Sequence, residues 1–447
     1  MNYPTSSSVS AGQATEADQY NFLRNDALCL GGDPAVTGTL RDLLHQGLSG
    51  VRLIRASKTS VRLEASPDDP CAVMIGGKIC TVTEELTLDL SADALQAAGR
   101  YYLYAVSGAG AAFTLRAGDG TAPSGGRQIG TFLWSGAGII PGTVYEFNEW
   151  NRRMSLTDPA RCQGRLTLVP GEPVPDTDIR LGETLYFTPY QGNAAALYLG
   201  ASWELFRLTE LSLGLSGMMR GIPYDIFLEA DENGLRLTAL SWGTAAARPA
   251  GMLARVDGVR VSGGNSGARY LGTIALNASG YGEDSCSGRL VWNENHRLPR
   301  PLLARLTTTK NQGSVHMNSW APYYDEDAPE VRILVPVPDC EFSLEGTGLA
   351  SPISESDRGY NRAAALGICR DMMRESPYTG NESCAAVFTH TFGNGPVTVS
   401  LGNRDQGFRG CHTYTLAFWS NYSFYPVGTN LSSGCGECPG LSGFIAG

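Results

Sequence analysis

Tyr101-Tyr102-Leu103-Tyr104, then Arg127-Gln128-Ile129-Gly130-Thr131, then Phe147-Asn148-Glu149-Trp150-Asn151-Arg152 is the series that decides the fold, because it returns. About 140 residues later the chain reads Tyr224-Asp225-Ile226-Phe227, Arg269-Tyr270-Leu271-Gly272-Thr273 and Trp292-Asn293-Glu294-Asn295-His296-Arg297. Two copies of a strand-like pattern, with no catalytic signature in either, predict a modular β-rich structural protein.

The surrounding composition agrees. A chain of 447 residues exceeds what one compact core holds, so several domains are expected. The 55 glycines and 24 prolines supply the turn positions that closely spaced antiparallel strands need. A net charge of -10 opposes nucleic-acid binding, which needs clustered cations against phosphates. Lys58, Lys78 and Lys310 are the only lysines, so arginine, with its planar fork, carries nearly all positive charge. The start, Met1 to Ser8, has neither a basic n-region nor an apolar h-region, and no apolar run approaches the ~20 residues of a membrane span. The expectation is a soluble chain made in the cytosol, without membrane insertion.

Eleven cysteines do not suit a disulfide framework throughout. Cys29, Cys71, Cys80, Cys162 and Cys286 are expected mostly as buried thiols, while some of the six from Cys340 to Cys438 have the option of pairing.

Along the chain, Thr15 can cap a short N-terminal helix with Asp18 three positions on, and Tyr20, Leu23 and Ala27 share its apolar face. Val61-Arg62-Leu63-Glu64 and Cys80 to Leu90 alternate as strands do, and Ser91 to Ala98 reads as a short helical turn. In the next block Arg165 to Val169 and Thr184 to Pro189 read as strands. Asn193 to Leu199 and Trp203 to Leu208 follow, joined by a turn at Gly200-Ala201-Ser202. Leu298-Pro299-Arg300-Pro301 reads as a linker, since prolines discourage continued secondary structure. Beyond it Val331 to Val337 is a strand, Tyr360 to Met373 admits a short helix or an irregular excursion, and His412 to Trp419 alternates again.

Candidate chemistry is sparse. Cys435-Gly436-Glu437-Cys438 has ligand spacing, but tetrahedral zinc needs two further ligands, for which Cys411 and His412 are the candidates. No metal and no cofactor is expected. Asp325, Glu326 and Asp327, or Glu355 and Asp357, are the carboxylates a glycan-cleaving site would use. There is no G-x-S-x-G elbow, P-loop or H-E-x-x-H, and no catalytic residue is assigned. Tyr414, Phe418, Trp419, Tyr422, Phe424 and Tyr425 cluster near the end of the chain. Trp419, Tyr422 and Tyr425 flank a turn at Ser420-Asn421 and are the candidate receptor-contacting residues.

Thr184 to Asn193, Ala196-Leu197-Tyr198, Ser202-Trp203, Arg269 to Ile274, Glu283-Asp284-Ser285 and Arg289 to Arg297 together resemble a module recurrent in bacteriophage tail-fibre and other minor virion proteins. Ala14 to Arg24 is similar to the N-terminal helix of such proteins, and Tyr414 to Trp419 with the glycine-rich tail to their closing β domain. The resemblance is most specific over 160–300 and 14–28. It implies a non-enzymatic virion component of the tail, assembled in the host cytoplasm and homotrimeric. Its partners would be other virion proteins and a host-surface receptor, a glycan among the options.

The expected architecture is therefore mainly β: tandem antiparallel β domains with a short N-terminal helix and a C-terminal β-sandwich. Residues 1–35 would form the virion-attachment segment with Tyr20 and Leu23 in the contact, 36–157 and 158–302 two related β domains, and 303–447 the receptor-binding tip. The alternatives are a purely architectural head-fibre, baseplate or decoration subunit, and a polysaccharide-degrading tailspike.

Overall fold

The computed structural model describes residues 47–447 except 92–94, 96, 109, 148–157, 246, 307–319, 323–327, 353–363, 372–383, 391–395, 403–409, 421–423 and 427–439. Of the described residues 58% lie in strands, and no complete helix lies among them. The N-terminal helix expected around Tyr20 and Leu23 lies outside them. The chain divides into two compact units. One comprises Met1–Arg161, Ala196–Phe206 and Glu229–Arg236, the other Cys162–Ala195, Arg207–Leu228 and Leu237–Gly447.

A first module contains β1 (Leu48–Ser49), β2 (Leu53–Ser57), β3 (Ser60–Leu63), β4 (Cys71–Ile75), β5 (Lys78–Val82), β6 (Leu86–Asp89), β7 (Gly99–Ser107), β8 (Phe113–Gly118), β9 (Gly126–Trp134) and β10 (Tyr145–Glu146). A second contains β11 (Gly164–Thr167), β12 (Ile179–Gly182), β13 (Thr184–Pro189), β14 (Ala194–Leu199), β15 (Ser202–Arg207), β16 (Leu211–Gly214), β17 (Tyr224–Asp231) and β18 (Gly234–Ser241). It continues with β19 (Leu253–Val256), β20 (Val259–Ser262), β21 (Arg269–Ile274), β22 (Gly282–Ser285), β23 (Gly288–Arg289) and β24 (Val291–Asn293).

The sheet order shows that these are two copies of one design. β2-β3-β6 corresponds to β11-β13-β16, the hairpin β4-β5 to β14-β15, and β8-β7-β9-β10 to β18-β17-β21-β24. The pairings agree residue by residue. Leu63 stands opposite Leu53 and Leu86 as Phe187 stands opposite Leu166 and Leu211. Leu90 N–H donates to Thr59 as Leu215 N–H donates to Glu183. Both hairpins turn on two residues at positive φ, Gly76-Gly77 (56° and 79°) and Gly200-Ala201 (57° and 65°). That conformation matches the twist of the flanking strands.

A bulge is also repeated. Between Leu103↔Gly130 and Tyr104↔Gln128 the pairing skips Ile129, and between Ile226↔Gly272 and Phe227↔Tyr270 it skips Leu271. The register moves the closing element, however. Tyr145 stands opposite Thr131 as Trp292 stands opposite Thr273, so Tyr145-Glu146, rather than Phe147-Asn148, matches Trp292-Asn293. Similar letters lie two residues away from the positions that the hydrogen bonds equate.

The remaining strands are β25 (Pro299–Arg305), β26 (Trp320–Pro322), β27 (Glu330–Val335), β28 (Phe342–Pro352), β29 (Ala364–Arg370), β30 (Cys384–His390), β31 (Pro396–Gly402), β32 (Gly410–Ser420), β33 (Phe424–Pro426) and β34 (Gly440–Ala446). They form two sheets, β25-β34-β28-β31 and β27-β32-β29-β30. Leaving β26 and β33 aside, this order is 1-8-3-6 facing 2-7-4-5, the arrangement of a jelly roll. The sheets close over one core that contains Val331, Ile333, Leu344, Ile368, Leu401, Tyr414, Leu416 and Ile445. Phe227, Tyr270 and Trp292 of the second module belong to the same core, and β23 adds to the jelly roll by parallel pairing with β27.

Two sequence expectations change here. Pro299 and Pro301 lie in a strand rather than a linker. They share the parity of Leu303, whose N–H points away from β34 to the Cys286 carbonyl, so the prolines omit only outward-facing donors. Ala364 to Arg370 is a central strand between β32 and β30, with Leu366, Ile368 and Cys369 buried. Pairing on both edges overrides its alanine-rich local preference.

Candidate functional site

The jelly roll has two unlike ends. At one end its turns meet the second module: Arg248 Nη1 donates to the Pro336 carbonyl (2.8 Å), Arg297 Nη1 to the Asp339 carbonyl (3.0 Å), and Cys411 N–H to the Ala245 carbonyl (3.2 Å). At the other end β32 finishes at Ser420, opposite Ala364, which stands opposite His390. In the facing sheet Leu349 pairs with Pro396 and Ser351 with Tyr425. Register alone therefore brings Trp419 and Tyr425 to the end away from the second module. Trp419 lies there between Trp320 of β26 and Ala365 of β29. Tyr422, Tyr20 and Leu23 lie outside the described residues, as do Asp325, Glu326, Asp327, Glu355, Asp357, Cys435 and Cys438.

The charged groups buried at the other end of the domain and in the modules are closed knots. Asp225, fully buried on β17, accepts from Arg248 Nε (2.7 Å) and Nη2 (2.8 Å), Trp242 Nε1 (2.9 Å) and Thr273 Oγ1 (2.8 Å). The Arg248 guanidinium lies 4.5 Å from the centre of the Trp242 ring. Glu283, also buried, accepts from Ser285 (2.8 Å), Asn277 (3.2 Å) and Arg332 (2.9 Å). Glu204 pairs with Arg100 and accepts from Ser202 (3.1 Å). Burial raises the Glu204 carboxyl, against the pull of Arg100. Each carboxylate is satisfied by side chains that pin neighbouring strands, which is the condition for a buried ion to be tolerated.

No protein-family model and no curated protein matches the chain.

Of the described candidates, the Cys411 thiol is free and shielded, and the His412 imidazole is engaged by a carboxylate. Burial pushes the thiols of Cys71 and Cys340 up to about 12 and that of Cys411 up to about 11, so they stay protonated at neutral pH. Cys369 is in a disulfide, while Cys71, Cys80, Cys162, Cys286, Cys340 and Cys411 are free. His412 turns inward on β32, and its Nδ1–H donates to Asp371 Oδ2 at 2.7 Å. Asp371 Oδ1 accepts from Thr413 N–H at 2.9 Å. Burial alone would raise Asp371, but the bonds from His412 and Thr413 outweigh it and hold the carboxyl below its ordinary value. Among the described residues no group of three or more His, Cys, Asp or Glu side chains is placed to hold a metal.

Sequence reading missed the Asp225–Arg248 knot. Asp225 is visible in the repeated Tyr224-Asp225-Ile226-Phe227, but its partner lies beyond the next strand, at a position no local pattern marks.

Proposed function

We propose that the chain is a bacteriophage virion structural protein, a tail-fibre subunit that attaches noncovalently to the host surface. The far end of its jelly roll would make the contact, with Trp419, Tyr422 and Tyr425 as the contacting residues. Residues 1–35, with Tyr20 and Leu23, would join other virion proteins. The observation that carries this reading is the unlike pair of ends. One is fastened to the second module by Arg248, Arg297 and Cys411, and at the other the ends of β28, β29 and β32 come together beside Trp419 and Tyr425. Residues at the free strand ends of a fixed sandwich suit recognition, and many weak contacts per particle would combine through multivalency.

A homotrimer belongs to the same reading. The outer face of β25–β34 carries Pro301 opposite Phe444, with Leu303 one pleat further on. Leu303 is 39% and Phe444 42% exposed, an apolar strip suited to contact with copies of the chain.

The test is binding of the fluorescent full-length chain to intact host cells, competed by the parent virion. Saturable, competed binding that falls at least tenfold in a folded Trp419→Ala/Tyr425→Ala variant supports the proposal. Absence of binding from the folded, assembled chain favours a purely architectural role. The full chain is needed, because β25 begins at Pro299 and a fragment starting at 303 would lack half of that strand.

A further inference from the structure

Lysine is rare in this chain, and one of the three is set against a side-chain amide. Lys58 stands at the turn between β2 and β3, and its Nζ donates to Asn233 Oδ1 at 2.5 Å. Asn233 lies at the turn between β17 and β18, 175 residues on, in the same compact unit as Lys58. Its Nδ2 donates to Glu232 Oε1 at 3.1 Å, and Glu232 Oε2 accepts from Ser135 Oγ at 2.8 Å. An amine, a carboxamide and a carboxylate thus meet in one row. Arginine, which carries most of the positive charge elsewhere, would make the same hydrogen bond, but only the amine can also act as a nucleophile.

Both turns are held from behind. The Lys58 carbonyl accepts from Ile139 N–H (2.7 Å), and the Ile139 carbonyl accepts from Arg55 Nε (3.1 Å). The same guanidinium reaches the Glu232 carbonyl through Nη2 (2.8 Å), while Asn233 N–H donates to Asp231 Oδ1 (2.7 Å). Gly138 fits between the turns: a Cβ there would lie 2.8 Å from Glu232 Cβ and 2.9 Å from the Lys58 carbonyl oxygen. With a carbonyl bond of about 1.23 Å, the 2.5 Å contact puts Nζ within about 3.7 Å of Asn233 Cγ, close to the ~3–3.5 Å of a near-attack pair. The Ser135 bond is the main reason that the Glu232 carboxyl is held below its ordinary value, so it is ionised and able to accept a proton.

We propose that Lys58 and Asn233 join in an intramolecular isopeptide bond, with Glu232 as the proton carrier. Lys58 Nζ, having lost one proton to water, attacks Asn233 Cγ; the Cγ–Nζ bond forms and the Cγ–Nδ2 bond breaks. Glu232 takes the next proton from Nζ and passes it to Nδ2, which leaves as ammonia, and nothing is oxidised or reduced. The product is a covalent tie between two turns 175 residues apart. This goes beyond the attachment reading and does not depend on it.

Mass spectrometry of the intact, folded chain tests the bond. After prolonged incubation at neutral pH the chain should be lighter by one molecule of ammonia. A tryptic digest should then contain a branched peptide that joins the segments around Lys58 and Asn233. The Lys58→Arg variant should keep its full mass, and Glu232→Gln should link roughly a hundredfold more slowly. The proposal fails if the folded chain keeps its full mass and is cut normally after Lys58. It also fails if Lys58→Arg loses ammonia equally, since the Gly234 nitrogen would then be the attacker and the product a succinimide at Asn233. An unchanged rate in Glu232→Gln would overturn the part assigned to the carboxylate.

Discussion

Gly130 and Gly272 hold the same place in two copies of one bulged sheet. Each follows the unpaired residue of the bulge, and each lies against the carbonyl of a closing strand. A Cβ on Gly130 would collide with the Leu53 side chain and lie 2.6 Å from the Tyr145 carbonyl oxygen. One on Gly272 would collide with the Trp292 carbonyl oxygen and lie 2.9 Å from Leu166 Cδ1. Leu53 and Leu166 are themselves matched positions, so the constraint has been kept with its surroundings. Gly130→Ala and Gly272→Ala should each cost about 1–3 kcal/mol, the range of overpacking in a site that cannot move aside. Gly214→Ala, where nothing lies within 4 Å of the new Cβ, should be neutral or slightly stabilising. Urea denaturation of the three variants decides this.

Arg248→Met should cost about 3–5 kcal/mol, because it leaves Asp225 buried without its counter-charge. The Asp225→Leu/Arg248→Met double variant should recover much of that loss. Equilibrium unfolding would measure both, and equal losses in single and double variants would refute the account of the knot.

Asp371 ties His412 to the backbone of Thr413. A carboxyl held below its ordinary value contributes stability that is present above its unfolded pKa of about 3.9 and lost as pH falls through the folded value. Asp371→Asn should therefore cost on the order of 1 kcal/mol at pH 7, discounted for its half-exposed side chain. The difference from the unaltered chain should shrink below about pH 4. Thermal melts at pH 7 and pH 3 give the comparison.

Phe444→Glu and Leu303→Glu put charge on the strip proposed to join copies of the chain. Both point outward from the jelly roll, so the fold should persist while the oligomer dissociates. Sedimentation velocity should show a smaller species for each, and an unchanged species would remove this face from the assembly.

Much of the β architecture was legible because turns interrupt it at informative places. Gly200-Ala201 separates two strand-like runs, and β14 and β15 fall on them. The repeated Arg-x-x-Gly-Thr strings mark a matched bulge, because only glycine fits beneath the closing strand. What stayed hidden depends on neighbours. Pro299 and Pro301 look like strand breakers until their outward direction is known, and Ala364 to Arg370 becomes a strand through β30 and β32. Of the candidate site, Trp419 and Tyr425 are near in sequence. That they lie at the end away from the second module follows from pairings to Ala365 and Ser351, which no local string contains.

The nesting of β34 between β25 and β28 has a consequence for synthesis. On the ribosome, the first strand of the jelly roll must wait for residues 440–446 before its sheet partner exists. Until then β25 and β28 present open edges, and apolar residues such as Leu302 and Phe342 lack their covering strand. The domain is thus assembled late and all at once, and its vulnerable period is translation rather than the mature state.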